Sequence, residues 1–449
     1  MRYRAVPLAA ALIATLSVAP TRAADTVITA AANTFVPMNL SVTAGDKLTF
    51  VNPDVAPHNV IAEATHKNVP LFRSDTITMG ETAEVVGVDK LKPGTYTFVC
   101  TLHPRMRGAL AVTAPGSLPV AVTPTTAAVP TPTSLAIFNG ALYVASYAAG
   151  TVTSFPLLPG GLLGPGTPYA TGFSSPLGVT FAPDGTMYVA DSHEPTGAPR
   201  PYGRVWAVKG TEKKVVIDRL PNGRHATNNL TVHNGRLYVT NGNSTDDGVA
   251  GGPPEEPLSG TVLSYALPIT AKSKPTVESR GLRNVYDVAF RPGTKSEAWF
   301  ATNGPDELDP WGEDLLHKVD VAKGTADFGF PACVYKAPLV RGQNPAIPTP
   351  CRRSVVRPEV ALGLHVSANG LAFGAGGRWG GDLYIAEYGS NVPPPTGHKI
   401  IRVPIVNGRA GTPQDLVVGL TPLDVVFGPE GLYVADFASG EITLLRAVA

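Results

Sequence analysis

Thr95-Tyr96-Thr97-Phe98-Val99-Cys100-Thr101-Leu102-His103-Pro104-Arg105-Met106 decides how the first hundred residues read. A run that alternates polar and apolar residues stops at a cysteine, and a histidine and a methionine follow at once. Upstream lie shorter runs of the same kind: Val27-Ile28-Thr29, Leu40-Ser41-Val42, Lys47 to Val51 and Ala83 to Val86. Leu110-Ala111-Val112 follows, and Gly45, Gly80 and Pro93-Gly94 punctuate the series. Period-two alternation broken by Gly/Pro turns at this spacing predicts a small β-sandwich.

Cys100, His103 and Met106 sit within seven residues, and His58 lies upstream in Pro57-His58-Asn59. A thiolate, two imidazoles and a thioether make the soft donor set of a blue-copper centre, with Met as the weak axial ligand. The spacing has a physical reason. A strand that ends at Cys100 feeds a tight loop, so three ligands come from one short segment. His58 must come from another strand end, which ties the metal to the sandwich.

Outside this segment the chain reads as exported. Arg2 and Arg4 precede the apolar run Val6 to Val18, and Thr21-Arg22-Ala23 ends on a small residue, so residues 1–23 are expected to be a signal peptide. That run is too short for a bilayer span, which needs about 20 residues, and no later run is long enough. The expected location is periplasmic or secreted. The formal charge of +1 over 449 residues, with no basic block, excludes nucleic acid as a main partner. Three cysteines leave an odd thiol in an oxidising compartment. Cys333 and Cys351 flank a proline-rich loop and are the natural disulfide pair. Cys100 is then free, and copper gives it a role.

The 47 glycines and 44 prolines argue for short strands and tight turns. Residues 115–133 hold five Pro and five Thr and read as an extended spacer, with a reach on the order of 50 Å. Beyond it one motif recurs: Leu142-Tyr-Val-Ala145, Met187-Tyr-Val-Ala190, Leu237-Tyr-Val-Thr240, Ala298-Trp-Phe-Ala301, Leu383-Tyr-Ile-Ala386 and Leu432-Tyr-Val-Ala435. Six units between residues 134 and 449 give a period of about 53, that of a β-propeller with four strands per blade. The fold class is therefore all-β, with residues 24–114 as the sandwich and 134–449 as a six-bladed propeller.

Three clusters stand out in the propeller. They are Leu220 to Leu230 around His225, Gly281-Leu-Arg283-Asn284 with Asn303-Gly304-Pro305-Asp306, and Asp327-Phe-Gly-Phe-Pro331. A His and an Arg at the mouth of a propeller channel would serve as base and as oxyanion anchor. Backbone carbonyls at Gly304 and Pro305 would suit a hard cation such as Ca²⁺.

Residues 25–113 resemble the cupredoxins, most closely the amicyanin and plastocyanin-like members, through Ala44-Gly45-Asp46, Pro57-His58-Asn59-Val60 and Cys100-Thr-Leu-His103-Pro-Arg-Met106-Arg-Gly108. The resemblance implies a type 1 copper site at His58, Cys100, His103 and Met106, and electron transfer through the His103 edge. Residues 175–445 resemble the glucose/sorbosone dehydrogenases, six-bladed propellers that use pyrroloquinoline quinone (PQQ) and Ca²⁺. The matching pieces include the His225 segment, Gly-Leu-Arg283-Asn284, Gly304-Pro305, Asp327-Phe-Gly-Phe-Pro331 and Gly380-Gly-Asp-Leu-Tyr384 through Lys399. This implies His225 as base, Arg283 as anchor of substrate or quinone oxygens, and Asn284, Gly304, Pro305 and Lys399 at the cofactor. Asn228 and Thr421 stand where that family carries arginines. Two functions follow as expectations. In one, the propeller oxidises a sugar or alcohol and feeds electrons to copper. In the other, it is a non-enzymatic platform that docks a redox partner protein.

Overall fold

In a computed structural model of the chain, residues 26–448 are described apart from 37, 93, 114–117, 194–200, 249–254, 307, 348 and 391–394. The expected signal peptide lies outside the described residues.

Two four-stranded sheets pack face to face in the first domain. One runs in the order Thr34–Val36, Thr26–Ala31, Leu48–Val51, Thr82–Glu84, and the other in the order Asn39–Thr43, His103–Thr113, Gly94–Cys100, Ile61–Ala62. Alternation sends Ile28, Leu48, Phe50, Phe98 and Leu110 between the sheets, where each is fully buried. Phe35 meets Phe98 edge-on with ring centroids 4.9 Å apart, a favoured aromatic geometry. Cys100 and Met106 belong to this same core. The metal-ligand candidates therefore stand at the end of the hydrophobic core, held by its packing.

Among the described residues the rest of the chain forms six sheets of four or five strands arranged as propeller blades. Blades 1 to 5 take residues 132–171, 176–221, 227–280, 284–364 and 368–418. Blade 6 takes 422–447 and adds Val120–Ala128 as its outermost strand, antiparallel to Glu441–Ala447. The six recurring Leu-Tyr-Val-Ala motifs all fall on the second strand of their blades. Neighbouring blades cover both faces of that strand, so its residues are buried almost without interruption, as in Arg236–Asn241 and Gly431–Asp436.

The stretch expected as a free spacer, 115–133, is thus corrected. Most of it is blade structure: Val120–Ala128 closes the ring, and Pro132–Phe138 opens blade 1. The sheet of the first domain also touches the propeller, where Ala109 and Ala111 cluster with Val418 on the outer strand of blade 5.

One ring of residues explains how the blades stay together. Ser134, Gly178, Asn229, Asp287, Gly370 and Asp424 occupy the same place along the inner edges of the six blades, each just before a Leu or Val, with Asp287 in the break between Asn284–Val285 and Ala289–Phe290. The N–H of Val179 in blade 2 donates to Ser134 Oγ of blade 1 (3.1 Å). Leu371 N–H of blade 5 donates to Asp287 Oδ2 of blade 4 (3.1 Å), and Leu135 N–H of blade 1 donates to Asp424 Oδ2 of blade 6 (2.8 Å). Side chains at this position staple one blade to the next. Glycine fills the places where the neighbour arrives: a Cβ on Gly370 would lie 2.2 Å from Asp424 Oδ1. Burial pushes the Asp424 carboxyl up to about 7 and Asp287 well above its usual range.

Cys333 and Cys351 are joined as a disulfide in the long insertion of blade 4, between Glu313–Asp320 and Val360–Leu364. Cys100 is the free cysteine.

Candidate functional site

Cys100 ends strand Gly94–Cys100, and His103 opens strand His103–Thr113 directly opposite it. Only Thr101 and Leu102 turn the chain between them. The register then slips between His103 and Arg107. That bulge turns Met106 inward, leaving it 2% exposed. His58 comes from the other side, bridged to Ile77 through both backbone hydrogen bonds.

The three candidates converge. Cys100 Sγ lies 3.7 Å from His58 Nδ1 and 3.5 Å from His103 Nδ1. The two imidazoles are 4.6 Å apart, centroid to centroid. One donor atom from each of His58, Cys100 and His103 falls within 4.8 Å of the others, the span of a single ion. His58 and Cys100 are fully buried, and His103 is partly exposed at the rim. One thiolate with two imidazoles, and a buried thioether in the same core, fits copper by its donor chemistry.

Two parts of this centre escape a reading by motif. Asn59 Nδ2 donates to Thr101 Oγ1 (2.8 Å), and Thr101 N–H donates to Asn59 Oδ1 (2.9 Å). Asp54 Oδ2 lies 3.3 Å from His58 Nε2. Asn59 stands beside the candidate ligand His58 in the sequence, and that adjacency is the signal that could have found it. For Asp54 the signal is its place four residues before that histidine.

The propeller carries a cleft of about 670 Å³ lined by His225, Asn284, Gly304, Asp306, Asp309 and His365, among others. His225 Nδ1 lies 2.8 Å from Asn243 Oδ1. Asn243 Nδ2 donates to Thr245 O and Glu255 Oε1, which turns Oδ1 toward the imidazole. Nδ1 therefore carries the proton, and Nε2 keeps its lone pair. Burial, helped by the Arg283 charge, lowers the His225 pKa to about 4, so the ring is neutral at pH 7. Asn243 and Glu255 were not visible as site residues from sequence.

The expected cations are differently placed. Arg283 is 4% exposed and pairs with Asp246 and, at 3.3 Å, with Asp306. It is a strut between loops. Lys399 Nζ lies 2.7 Å from Asp415 and 3.6 Å from Glu387. Asp415 is its counter-ion, because burial lifts the Glu387 carboxyl to about 8 and keeps it protonated. Asn284 accepts from Asn228 Nδ2 (2.9 Å) and donates to Asn303 Oδ1 (2.8 Å). Gly304 N–H donates to buried Asp314 (2.9 Å), and the Pro305 carbonyl packs over Gly312. Thr421 hydrogen-bonds Asp436. A quinone with three carboxylates needs free cations, and this cleft is lined by Asp306, Asp309 and buried Asp314, while Arg224 and Arg283 are paired with Asp246 and Asp306. Among the described residues, no arginine or lysine lines the cleft to meet those carboxylates.

An all-β chain with a soft three-donor centre at the end of a sandwich defines a class, the small copper-binding β-sandwiches, here joined to a propeller. The family model described as a cupredoxin-like domain matches residues 5–112. Plastocyanin of Solanum tuberosum is 38% identical over 77 residues, covering 15% of this chain and 75% of the plastocyanin. The chain belongs to the cupredoxin family through this domain. The propeller is similar in fold to the PQQ domain of pyranose dehydrogenase from Coprinopsis cinerea, with a TM-score of 0.60 and 16% identity over 74% of this chain and 96% of that one. It is also similar to the soluble aldose sugar dehydrogenase of Escherichia coli, with a TM-score of 0.56 and 18% identity over 73% and 100% of the two chains. At such identities the likeness shows the fold alone.

Proposed function

We propose that the protein is an exported one-electron carrier, with copper held by His58, Cys100, His103 and Met106 and a propeller that recruits its redox partner. The observation that carries this is the convergence of His58, Cys100 and His103 within 4.8 Å at the end of a cupredoxin core. Copper bound there would cycle between Cu(II) and Cu(I). The chain's own contribution is a fixed donor set. The sandwich holds His58 and Cys100 in place and excludes water from them, while His103 offers a partly exposed edge toward a partner. Export is read from residues 1–23, and no helix of the described residues is long and apolar enough to cross a membrane.

For the propeller, the acidic cleft and the engaged Arg283 favour a binding role. A second reading, oxidation of a sugar or alcohol, is favoured by one observation: His225 is neutral and its Nδ1 is fixed by Asn243, as a general base requires. That reading needs the Asp246–Arg283–Asp306 pairs to open around a quinone. One experiment separates them. The purified protein is given PQQ and Ca²⁺ and assayed for dye reduction with a panel of aldoses and alcohols. The binding reading expects no reduction above that of the His225→Ala variant. Substrate-dependent reduction that His225→Ala abolishes would overturn it in favour of the dehydrogenase.

A further inference from the structure

We infer that Asp54 is a positioning residue that sets the reduction potential of the copper centre by holding a carboxylate on the outer nitrogen of His58. The inference rests on the copper reading given above. Its ground is the orientation of one imidazole. His58 Nδ1 faces Cys100 Sγ at 3.7 Å, and Nε2 faces Asp54 Oδ2 at 3.3 Å. The two ring nitrogens therefore have different tasks. A metal among the three donors takes the Nδ1 lone pair, so Nε2 carries the proton and donates it to Asp54.

The carboxylate is built to stay there. Asp54 Oδ2 also accepts the N–H of Asn33, at 3.0 Å, from the turn that links Thr26–Ala31 to Thr34–Val36. Asp54 N–H donates to Asn52 Oδ1 (2.9 Å). Asn52 is fully buried, and its Nδ2 donates to the carbonyls of Ala56 (2.8 Å) and Ile77 (3.0 Å). Pro53 and Pro57 stiffen the same segment. Asn52 thus organises the loop, the neighbouring hairpin pins the carboxylate, and the carboxylate fixes the ring. The His58 side chain is completely buried and that of Asp54 is 15% exposed, so the imidazole side of the pair is shut off from water.

The physical consequence has a sign. A carboxylate on the distal N–H raises the basicity of the ligating nitrogen and places negative charge beside the metal. Both effects stabilise Cu(II) over Cu(I) and lower the potential. Loss of such an outer partner costs about 10- to 100-fold in metal affinity. A tenfold loss that falls on Cu(II) alone raises a one-electron potential by about 59 mV.

The test uses the full chain loaded with copper, with Asp54→Asn, Asp54→Ala and Asp54→Glu beside the wild type. Midpoint potentials are read by redox titration of the blue band. Asp54→Asn keeps an oxygen that can accept from Asn33 and His58 and removes only the charge. The expected result is a blue Asp54→Asn protein with at least tenfold weaker Cu(II) binding relative to Cu(I), a rise of about 59 mV or more, and recovery toward wild type in Asp54→Glu. A potential that Asp54→Asn leaves unchanged, with Asp54→Ala shifted or unfolded, would assign Asp54 a structural role in the loop and overturn the inference. A colourless wild type would remove the copper reading itself, and this inference with it. A blue wild type with an unresponsive potential removes only the inference.

Discussion

Asn59 and Thr101 clasp each other by a reciprocal pair of hydrogen bonds, 2.8 Å and 2.9 Å, that joins the His58 segment to the Cys100 turn. They fix the distance between candidate ligands that come from distant parts of the sequence. Asn59→Ala is expected to lower the stability of the sandwich domain by roughly 1–3 kcal/mol, since two hydrogen bonds of about 0.5–1.5 kcal/mol each are lost. The blue colour should persist, because no donor atom is touched. Denaturant titration of the metal-free protein measures the first effect, and the visible spectrum the second.

Cys100→Ser is expected to abolish the blue band, because the thiolate-to-Cu(II) transition needs the sulfur. Met106→Leu should keep the colour and change the potential, as expected if the thioether serves as a weak axial donor. Absorption spectra and redox titrations of the two copper-loaded variants check both outcomes.

Glu387 gives the propeller a pH dependence with a definite sign. Burial raises its folded-state pKa from the ordinary 4.5 to about 8. Between those values the folded protein holds the proton more tightly than the unfolded chain. The contribution to stability is complete below about pH 4.5 and is lost as the pH climbs through about 8. Thermal melting of wild type and Glu387→Gln at pH 5.5 and 8.5 should show a smaller fall for the variant.

Gly370→Ala tests the stapled ring at the propeller axis. The added methyl would lie 2.2 Å from Asp424 Oδ1 and 2.5 Å from Asp424 Cα, so blades 5 and 6 must part. A loss of roughly 1–3 kcal/mol is expected for such overpacking. Gly381→Ala is the control, since nothing lies within 4 Å of its Cβ position. Equal unfolding midpoints for the two variants would refute the staple.

Much of this architecture was legible in the residues because its signals are local. Leu142-Tyr-Val-Ala145 and its five counterparts are continuous apolar runs, and a strand covered on both faces demands them. The Cys100, His103 and Met106 triplet is local too. The strand Val120–Ala128 was hidden by composition: Pro124 and its threonines suggest an open tether. Proline is tolerated there because the strand is the outer edge of its blade, and the ladder slips between Pro124 and Ala128. The role of Arg283 was hidden by distance. Its partners Asp246 and Asp306 lie 37 and 23 residues away, and no spacing rule links them. Asp54 was hidden for a third reason: its place four residues before His58 is the one local sign, and outside a helix that spacing fixes no contact.

The pairing of Val120–Ala128 with Glu441–Ala447 also governs the order in which the molecule can be made. The copper sandwich is finished when Thr113 is synthesised, whereas blade 6 waits for the last strand of the chain. Early residues must remain available, with an edge unpaired, until more than three hundred others have followed. A shortened gene that begins at residue 134 would yield a ring without its fastening. Six residues separate Thr113 from Val120, so even a fully extended connection reaches only about 20–25 Å. The sandwich domain is moored to the seam of the ring, where Val120–Ala128 pairs with Glu441–Ala447.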